Sequence, residues 1–370
     1  MSSPSVPTDA VIVAGGRGTR LQPLTHDTPK PLLPFCGAPF LSGVIRRLAR
    51  AGVTRVLLVV GQDTEPFRVL RADAAAVGVT VETVPEPEPL DTAGGVRAIV
   101  DELSTPFLVL NGDILTDVDY AEVLATHAAS GADASIVLTR VEDTSSFGVC
   151  VREGTRIVDF VEKPAPGTLP GQDAVNAGTY VLHPDVLRAH PEGRLSFERA
   201  VFPGLVERGG HLEGIVHEGV WADLGTPDRL REGHRLALSG ALPWPSVDAV
   251  PDRGDGVRVA PGARVHPDAR LLGPVLVLGG AEVASGAVVG PDVVLGADSA
   301  VGPDAVLVDT ALSDRARLGA GVEARGLLAG VGAHVEAGVA LGRDVVLGDG
   351  ERVSAGTSVP DGARLPAPRG

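Results

Sequence analysis

The segment AVIVAGGRGTRLQPLTHDTPKPLLP, residues 10–34, joins a short apolar run to a glycine-rich loop. The apolar run ends at Gly15, as a buried strand does when it reaches a turn. Gly15, Gly16 and Gly18 let backbone N–H groups converge on an anion, because no Cβ blocks the approach. The segment therefore predicts an α/β sheet with a ligand loop beyond the carboxyl end of its first strand.

Two cationic side chains follow these glycines. Arg20 offers a planar, permanently charged fork suited to phosphate oxygens. Lys30 stands between two prolines that restrict the backbone, so its ammonium group is held near one position at a reduced entropic cost. A dinucleotide fingerprint would need glycine where Leu21 stands, and a Walker loop would need Gly-Lys-Ser/Thr. The pattern predicts a triphosphate site, with a purely structural glycine turn as the alternative.

Strand-like and helix-like patterns alternate over the first 240 residues. The strand-like runs are residues 55–60, 79–84, 107–110 and 157–161, and the helix-like segments are residues 41–51 and 65–77. This alternation predicts a doubly wound, mostly parallel α/β sheet.

A six-residue repeat occupies the second half of the chain. Aliphatic residues recur at this interval from Val259 to Leu307 and from Val335 to Leu365, and the register slips through residues 310–329. This period fits a β-helix whose three short faces each place one aliphatic side chain inside, with disorder as the alternative. Residues 242–255 are rich in Pro, Asp and Gly. We expect domains at 1–240 and 257–370, joined by a linker at 241–256.

Composition narrows the class of protein. The chain has 370 residues, 44% of them hydrophobic, and a net charge of −15, which suits a globular protein of two domains without a nucleic-acid partner. No apolar stretch reaches the length of a membrane span, so we expect no membrane partner. Cys36 and Cys150 are too few for a disulfide framework or a Cys-based zinc site, and we expect a cytoplasmic location.

Two carboxylates follow short apolar runs. Asp113 stands in LVLNGDIL and Asp223 stands in GVWADLGTP. A carboxylate at the carboxyl end of a strand can hold Mg²⁺ against phosphate oxygens, although Asp113 could equally cap the next turn. Asp117 and Asp119 are expected to cap the following helix.

The motif G-G-x-G-T-R-L-x-P-L-T, followed by P-K-P-L-L-P, resembles the signature of the sugar-1-phosphate nucleotidyltransferase family. With its repeat tail, the chain resembles the members that guanylylate mannose 1-phosphate. The resemblance implies a doubly wound, mostly parallel nucleotidyltransferase sheet followed by a left-handed parallel β-helix of hexapeptide repeats. It also implies Mg²⁺-dependent nucleotidyl transfer to a sugar 1-phosphate, with GTP and mannose 1-phosphate as the preferred substrates.

The resemblance also assigns roles to particular residues. The metal ligands are Asp113 and Asp223. The catalytic cations are Arg20, Lys30 and Lys163. The nucleotide-binding residues are Ala14, Gly15, Gly16, Gly18, Thr19, Arg20, Lys30, Thr92, Ala93 and Gly94. The sugar-phosphate residues are Gly148, Glu162, Lys163 and Asn176. Read without the resemblance, Glu162 and Lys163 would be a solvated surface pair.

The chain departs from the family pattern at three positions. Asp91 stands where glycine is common, Ala38 where lysine is common and Phe147 where tyrosine is common. Asp91 adjoins the nucleotide segment, so it leaves the choice of base open. Ala38 is expected to affect only loop support or assembly.

The expected reaction is a one-step, in-line displacement in which a sugar phosphate oxygen attacks the α-phosphorus and pyrophosphate leaves. A phosphate monoester is largely dianionic near neutral pH, so we assign no general base. The cations and Mg²⁺ offset the repulsion between two anions. The repeat domain is expected to form a homo-oligomer.

Several other functions fit the sequence. The same reaction could use glucose 1-phosphate with dTTP, UTP or ATP, or a carbasugar phosphate such as valienol 1-phosphate in antibiotic biosynthesis. A bifunctional enzyme with acyl transfer at His334 of the repeats and a non-catalytic regulatory homologue are further alternatives.

Overall fold

The computed structural model describes residues 9–145, 147–165 and 173–366. The chain forms two compact units that are discontinuous in sequence. The first unit takes the ranges Met1–Gly16 and Val44–Trp221, and the second takes Arg17–Gly43 and Ala222–Gly370. The segment that carries Arg20 and Lys30 therefore belongs to the same unit as the repeats.

A nine-stranded sheet forms the core of the first unit. Its strands, from one edge to the other, are Thr80–Pro85, Arg55–Val60, Asp9–Val13, Phe107–Asn111, Ala174–Leu182, Ala134–Arg140, Leu212–Val216, Arg156–Glu162 and Gly148–Glu153. All run in one direction except Ala174–Leu182 and Arg156–Glu162, which are antiparallel to their neighbours. This arrangement confirms the predicted mostly parallel sheet.

The central strand Asp9–Val13 shows why the sequence forms this sheet. It pairs in parallel with a strand on each side, so that Ile12 lies opposite both Leu58 and Leu110. All three side chains are buried. Strands that are buried on both faces have nearly continuous apolar sequences, as this run does.

Helices and turns connect these strands. The α-helices of the first unit are Leu70–Ala75, Asp91–Ala98, Tyr120–Ser130, Pro184–Arg188 and Phe202–Glu207. A π-helix spans Phe197–Val201, 3-10 turns span Glu65–Val69 and Val100–Glu102, and a short strand spans Ile114–Thr116. The helix Phe40–Arg50 begins in the second unit and ends in the first.

Two expectations about this region need correction. The helix predicted at residues 65–77 is divided into a 3-10 turn and an α-helix, and Pro66 stands at the start of the turn. Asp119 caps the helix Tyr120–Ser130, because its carboxylate accepts hydrogen bonds from two backbone N–H groups of the first turn. Asp117 does not cap that helix; its Oδ1 lies 2.6 Å from Nε2 of His217.

The non-repeat part of the second unit is built around an aromatic cluster. Its elements are the 3-10 turns Thr19–Leu21 and Lys30–Leu32, the hairpin Pro34–Phe35 and Ala38–Pro39, and the helices Pro227–Leu238 and Pro245–Asp248. The strand Trp221–Asp223 leads into this unit. Phe35 stacks on His234 with ring centroids 4.7 Å apart, and Phe40 stacks on Trp244 at 5.4 Å. Trp244 is buried although it lies in the stretch expected to be a linker.

The repeats form a β-helix of stacked parallel strands. One sheet contains Val257–Val259, Val275–Val277, Val293–Leu295, Thr310–Leu312, Leu328–Ala329, Val346–Leu347 and Arg364–Leu365. The second contains Arg264–Val265, Glu282–Val283, Ala300–Val301, Arg317–Leu318, His334–Val335 and Arg352–Val353. The third face contains Arg270–Leu271, Val288–Val289, Val306–Val308 and Glu323–Arg325, followed by the pair Ala340–Leu341 and Ser358–Val359.

The pairing explains the six-residue period. Each coil takes three repeats, so Val259 pairs with Val277, 18 residues later. Within residues 310–329 the offset falls to 17, because Val293 pairs with Thr310 and Ala311 with Leu328. The slip in the sequence therefore corresponds to two coils of 17 residues instead of 18. The inward aliphatic side chains stay buried through these two coils.

Within residues 9–145, 147–165 and 173–366, the helices all fall short of the combination of length and apolar composition that a bilayer span requires.

Candidate active site

Three cationic side chains of the second unit surround one carboxylate. Asp223 ends the strand Trp221–Asp223, and its Oδ1 lies 3.6 Å from Nζ of Lys30. Its Oδ2 lies 3.9 Å from Nη2 of Arg20 and 3.6 Å from Nη1 of Arg229. Within the described part of the chain, buried Oδ1 has no hydrogen-bond partner. Such an oxygen fits a residue that accepts a further ligand, such as a divalent cation.

Gly18 allows Arg20 and Lys30 to approach this carboxylate. Its φ of +61° lies in the left-handed region that favours glycine, and it begins the turn that carries Arg20. A Cβ at this position would lie 2.9 Å from Cβ of Lys30, closer than packing allows. Thr25 Oγ1 donates a hydrogen bond to the Gly18 carbonyl at 2.8 Å and closes the loop. Lys30 is 11% exposed and Arg20 is 66% exposed.

A buried carboxylate of the first unit lies against the glycine loop. A Cβ on Gly15 would lie 3.2 Å from Oε2 of Glu86, and a Cβ on Gly95 would lie 2.5 Å from Oε1. Glu86 is 9% exposed, and burial raises the pKa of its carboxyl group. Its Oε1 has no hydrogen-bond partner among the residues the structure describes. The sequence analysis missed Glu86, although its position directly after the strand Thr80–Pro85 was a usable signal.

The segment predicted to bind the nucleotide forms the start of the helix Asp91–Ala98. Thr92 Oγ1 donates a 2.7 Å hydrogen bond to Oε2 of Glu198, on the π-helix, and accepts one from the backbone N–H of Phe197. Asp91 has a φ of +67°, and its carboxylate lies 3.4 Å from the guanidinium of Arg199. A left-handed φ is the region that favours glycine, the residue that is common at this position in the family.

Three of the predicted sugar-phosphate residues meet on adjacent strands of the first unit. Glu162 lies opposite Gly148 in the ladder, and a Cβ on Gly148 would lie 2.9 Å from Oε2 of Glu162. Lys163 Nζ lies 3.7 Å from Oε1 of Glu162 and is 65% exposed. Burial, and then the nearby Glu198 carboxylate, raise the pKa of Glu162. The geometry therefore holds a half-buried acid beside an ammonium group that reaches solvent.

Asn176 lies on the neighbouring strand Ala174–Leu182. Its Oδ1 accepts a hydrogen bond from the backbone N–H of Gly178, and its Nδ2 donates to the hydroxyl of Tyr180. Trp221 closes the same turn by donating to the Ala177 carbonyl at 2.9 Å. The amide is therefore held in one orientation by the protein itself.

Asp113 follows the strand Phe107–Asn111 at its carboxyl end, as predicted, and is half-buried. Over the described ranges, no group of three or more His, Cys, Asp or Glu side chains is placed to hold a metal. Mg²⁺ is commonly held by one or two carboxylates together with substrate phosphates and water. Each carboxylate, Asp113 in the first unit and Asp223 in the second, is of the type that this mode of binding uses.

The structure thus brings Arg20, Lys30 and Asp223 together in the second unit, and Gly148, Glu162 and Lys163 together in the first. Arg229 was also missed by the sequence analysis. It lies in the first turn of the helix Pro227–Leu238, six residues after Asp223. That spacing alone does not show that the turn between the two residues brings their side chains together.

The sequence of the chain is similar to sequences of known proteins. The model of the nucleotidyl transferase family matches residues 9–240. The chain is 38% identical over 263 residues to a mannose-1-phosphate guanylyltransferase of Mycobacterium tuberculosis, covering 69% of this chain and 72% of that protein. It is 37% identical over 235 residues to the mannose-1-phosphate guanylyltransferase catalytic subunit beta of Danio rerio, covering 62% and 64%.

Solved structures agree with this result. HddC from Yersinia pseudotuberculosis superposes with a TM-score of 0.53 at 27% identity, covering 61% of this chain and 97% of that one. The same protein complexed with GMP-PN gives a TM-score of 0.52. With the family model spanning more than half of its length, the chain belongs to the nucleotidyl transferase family, as a sugar-1-phosphate nucleotidyltransferase.

Proposed function

We propose that the protein catalyses Mg²⁺-dependent transfer of a guanylyl group from GTP to mannose 1-phosphate, giving GDP-mannose and pyrophosphate. The sugar is supported by the names of the relatives, several of which are mannose-1-phosphate guanylyltransferases at 36–38% identity. The base is supported by the same names and by the GMP-PN complex of the HddC structure.

The observation that carries the choice of guanine is the carboxylate of Glu86. A carboxylate offers only acceptors, and guanine offers two adjacent donors, N1–H and N2–H₂. Uracil and thymine offer a single donor between two acceptors, so one Glu86 oxygen would face a carbonyl. Among the described residues the buried Oε1 has no hydrogen-bond partner, so a base that donates to it would remove a cost of about 1–3 kcal/mol.

Arg20 and Lys30 are proposed to stabilise the triphosphate and the leaving pyrophosphate. Both carry their positive charge beside the carboxylate of Asp223, at 3.9 Å for Arg20 and 3.6 Å for Lys30, so two cations lie together where phosphate oxygens would be bound. Asp223 and Asp113 are proposed as ligands of one or two Mg²⁺ ions. When bound, Mg²⁺ would neutralise charge on the phosphate oxygens.

Lys163 is proposed to orient the attacking phosphate and Glu162 to accept hydrogen bonds from the sugar hydroxyls. Lys163 pairs with Glu162 at 3.7 Å, so a single backbone turn places a cation and an acceptor together. Gly148 keeps the space above Glu162 clear, because a side chain there would clash with Oε2. Asn176, held by Gly178 and Tyr180, retains one N–H and one lone pair for a hydroxyl group.

The decisive experiment measures pyrophosphate release with the five common nucleoside triphosphates, each combined with mannose 1-phosphate, glucose 1-phosphate and valienol 1-phosphate. We expect the highest kcat/KM for GTP with mannose 1-phosphate. A preference for dTTP, UTP or ATP with glucose 1-phosphate, or for the carbasugar phosphate, would contradict the assignment of substrates. No turnover with any pair would contradict the catalytic assignment itself.

We also propose a cytoplasmic location and assembly into a homo-oligomer through the β-helix. The two cysteines are buried as free thiols, which fits a reducing compartment. Light scattering of the purified chain tests the assembly, and a monomer at micromolar concentration would contradict it.

A further inference from the structure

The β-helix contacts the loop that carries Arg20, and both lie in the second unit. Arg364 Nη1 donates hydrogen bonds to the backbone carbonyl of Arg20 at 2.9 Å and to that of Gln22 at 3.3 Å. Carbonyls at the end of a short helical turn need partners from outside the turn, and Arg364 supplies them. The donor is a charged group, so these hydrogen bonds are of the stronger kind.

The backbone of Arg364 is itself fixed. The strand Arg364–Leu365 pairs in parallel with Val346–Leu347, and Leu365 packs against the aliphatic core of the β-helix. The guanidinium group is therefore tied to the stacked coils rather than to a free segment.

A second contact holds the same loop a few residues further on. Thr28 Oγ1 donates to Oδ2 of Asp349 at 3.0 Å, and Asp349 Oδ1 accepts from the backbone N–H of Val331. Pro23 packs against Gly348, where a Cβ would lie 3.2 Å from the proline ring. Two neighbouring coils therefore hold residues on both sides of Leu24.

The β-helix also holds the segment after Asp223. Arg231, on the helix Pro227–Leu238, is buried and donates to the Gly326 carbonyl at 2.8 Å, and it lies 2.9 Å from Asp344. Arg235 of the same helix donates to Asp309 at 3.0 Å. The coils therefore contact both segments that meet at Asp223, through main-chain carbonyls in the first and arginine side chains in the second.

Arg20 depends on such anchoring more than Lys30 does. The Lys30 side chain is almost enclosed, so its surroundings fix the ammonium group. The Arg20 side chain is two-thirds exposed and lies 3.9 Å from Asp223, too far for a hydrogen bond. Few side-chain contacts would therefore oppose a displacement of the guanidinium group when the backbone of Arg20 moves.

We propose that Arg364 is a positioning residue for nucleotidyl transfer, which sets the position of Arg20 by binding the main-chain carbonyls of residues 20 and 22. The β-helix would then contribute to catalysis, in addition to the role in homo-oligomer formation proposed above. The inference rests on the proposed role of Arg20 at the triphosphate.

The test uses the full chain and measures kcat, the KM for GTP and the KM for mannose 1-phosphate, together with the thermal unfolding midpoint. If GTP is not the substrate, the same series uses the triphosphate that the wild type prefers. For Arg364→Ala we expect kcat/KM for the nucleotide to fall about 10- to 100-fold, because a small displacement of a catalytic group costs this much. The KM for the sugar phosphate should not change.

Three further variants separate positioning from general damage. Arg364→Lys keeps one charged donor and should recover part of the loss. Arg352→Ala is the matched control, since Arg352 lies on a neighbouring coil, is 64% exposed and pairs with Glu336; it should behave as wild type. The double variant Arg20→Ala, Arg364→Ala should be no slower than Arg20→Ala alone, because a residue that acts through Arg20 has nothing left to position.

Wild-type kinetics in Arg364→Ala would overturn the inference, and so would full additivity of the two losses in the double variant. If Arg364→Ala does not fold, Arg364→Met, which keeps the length of the side chain but has no hydrogen-bond donor, takes its place, with the same two outcomes deciding. A large loss in Arg20→Ala without any loss in Arg364→Ala would overturn only the role of Arg364. Normal activity in Arg20→Ala would instead contradict the proposed function of Arg20.

Discussion

Lys30 Nζ lies 3.6 Å from Oδ1 of Asp223, and both side chains are largely withdrawn from solvent. This distance is that of an ion pair without a hydrogen bond, and Oδ1 has no hydrogen-bond partner in the described residues. A buried carboxylate oxygen without a partner costs stability, so natural proteins keep one where it serves a ligand. The ammonium group of Lys30, on the loop, and the carboxylate acceptor of Asp223, at the strand end, therefore lie side by side.

The first prediction concerns the metal. Asp113→Ala and Asp223→Ala should each lower kcat by about 100-fold or more while the far-ultraviolet circular dichroism stays unchanged, because each removes a proposed Mg²⁺ ligand. Chelation of the wild type by EDTA should abolish turnover, and added Mg²⁺ should restore it. Asp185→Asn is the control, since Asp185 is 88% exposed and pairs with neighbouring Arg188. Near-normal turnover in either alanine variant would remove that residue from the metal site.

The second prediction concerns the base. Glu86→Gln replaces one acceptor oxygen with a donor NH₂ group, so one guanine donor would face another donor. We expect kcat/KM for GTP to fall about 10- to 100-fold relative to that for UTP or dTTP, in line with the loss of one buried hydrogen bond. Glu88→Gln, which changes an exposed residue of the same segment, should leave the ratio unchanged. An unchanged ratio in Glu86→Gln would show that Glu86 does not read the base.

Much of the fold follows from the sequence, because its signals are local. The strand Arg55–Val60 and the six-residue spacing of the coils each depend on apolar residues at fixed intervals, and both are found as predicted. The sequence shows where the two 17-residue coils of the β-helix lie, because the six-residue register slips there. It does not show which turn of each coil has lost a residue.

The rest depends on contacts between distant residues. Arg364 and Arg20 are 344 positions apart, and nothing near either residue indicates that the two would meet. The position of Glu86 after a strand marks it in the sequence, but the sequence does not show that Gly15 and Gly95 pack around its carboxylate. The glycine motif predicts which residues bind phosphate, whereas the structure was needed to show which parts of the protein hold those residues in place.

The third prediction concerns the contact between Gly43 and Trp244. A Cβ at Gly43 would lie 2.2 Å from Cζ2 of the buried indole ring, so the ring must move to admit it. Alanine in the helix Phe40–Arg50 would gain about 1 kcal/mol in helix propensity, and overpacking of a buried ring costs about 1–3 kcal/mol or more. Gly43→Ala should therefore lower the thermal midpoint and shift the tryptophan fluorescence. Gly61→Ala, where a Cβ would meet no atom within 4 Å, should do neither; equal midpoints in the two variants would contradict the packing argument.

The last prediction concerns acid. His234 is buried between Phe35 and Cys36, and burial lowers its pKa from 6.5 to about 4. Between these two values the unfolded chain binds a proton at this site and the folded chain does not, so the free energy of unfolding must fall as the pH falls from about 6.5 to 4. One such group contributes up to about 1.4 kcal/mol per pH unit. The raised pKa of Glu86 acts in the opposite direction, because its neutral form favours the folded state at low pH. The wild-type profile also contains the effects of other shifted groups, such as the lowered pKa of His127 and the raised pKa of Glu162.

Slopes must therefore be compared between variants, by urea unfolding at pH 7.0, 6.0 and 5.0. His234→Gln removes the titrating ring, so its stability should fall less steeply with acid than that of the wild type, even if its stability at pH 7 is lower because the stacking on Phe35 is lost. His266→Gln, which changes a largely exposed histidine of the β-helix, should keep the wild-type slope. An identical slope in His234→Gln and the wild type would mean that the buried ring does not resist protonation, and the link between its burial and acid sensitivity would fail.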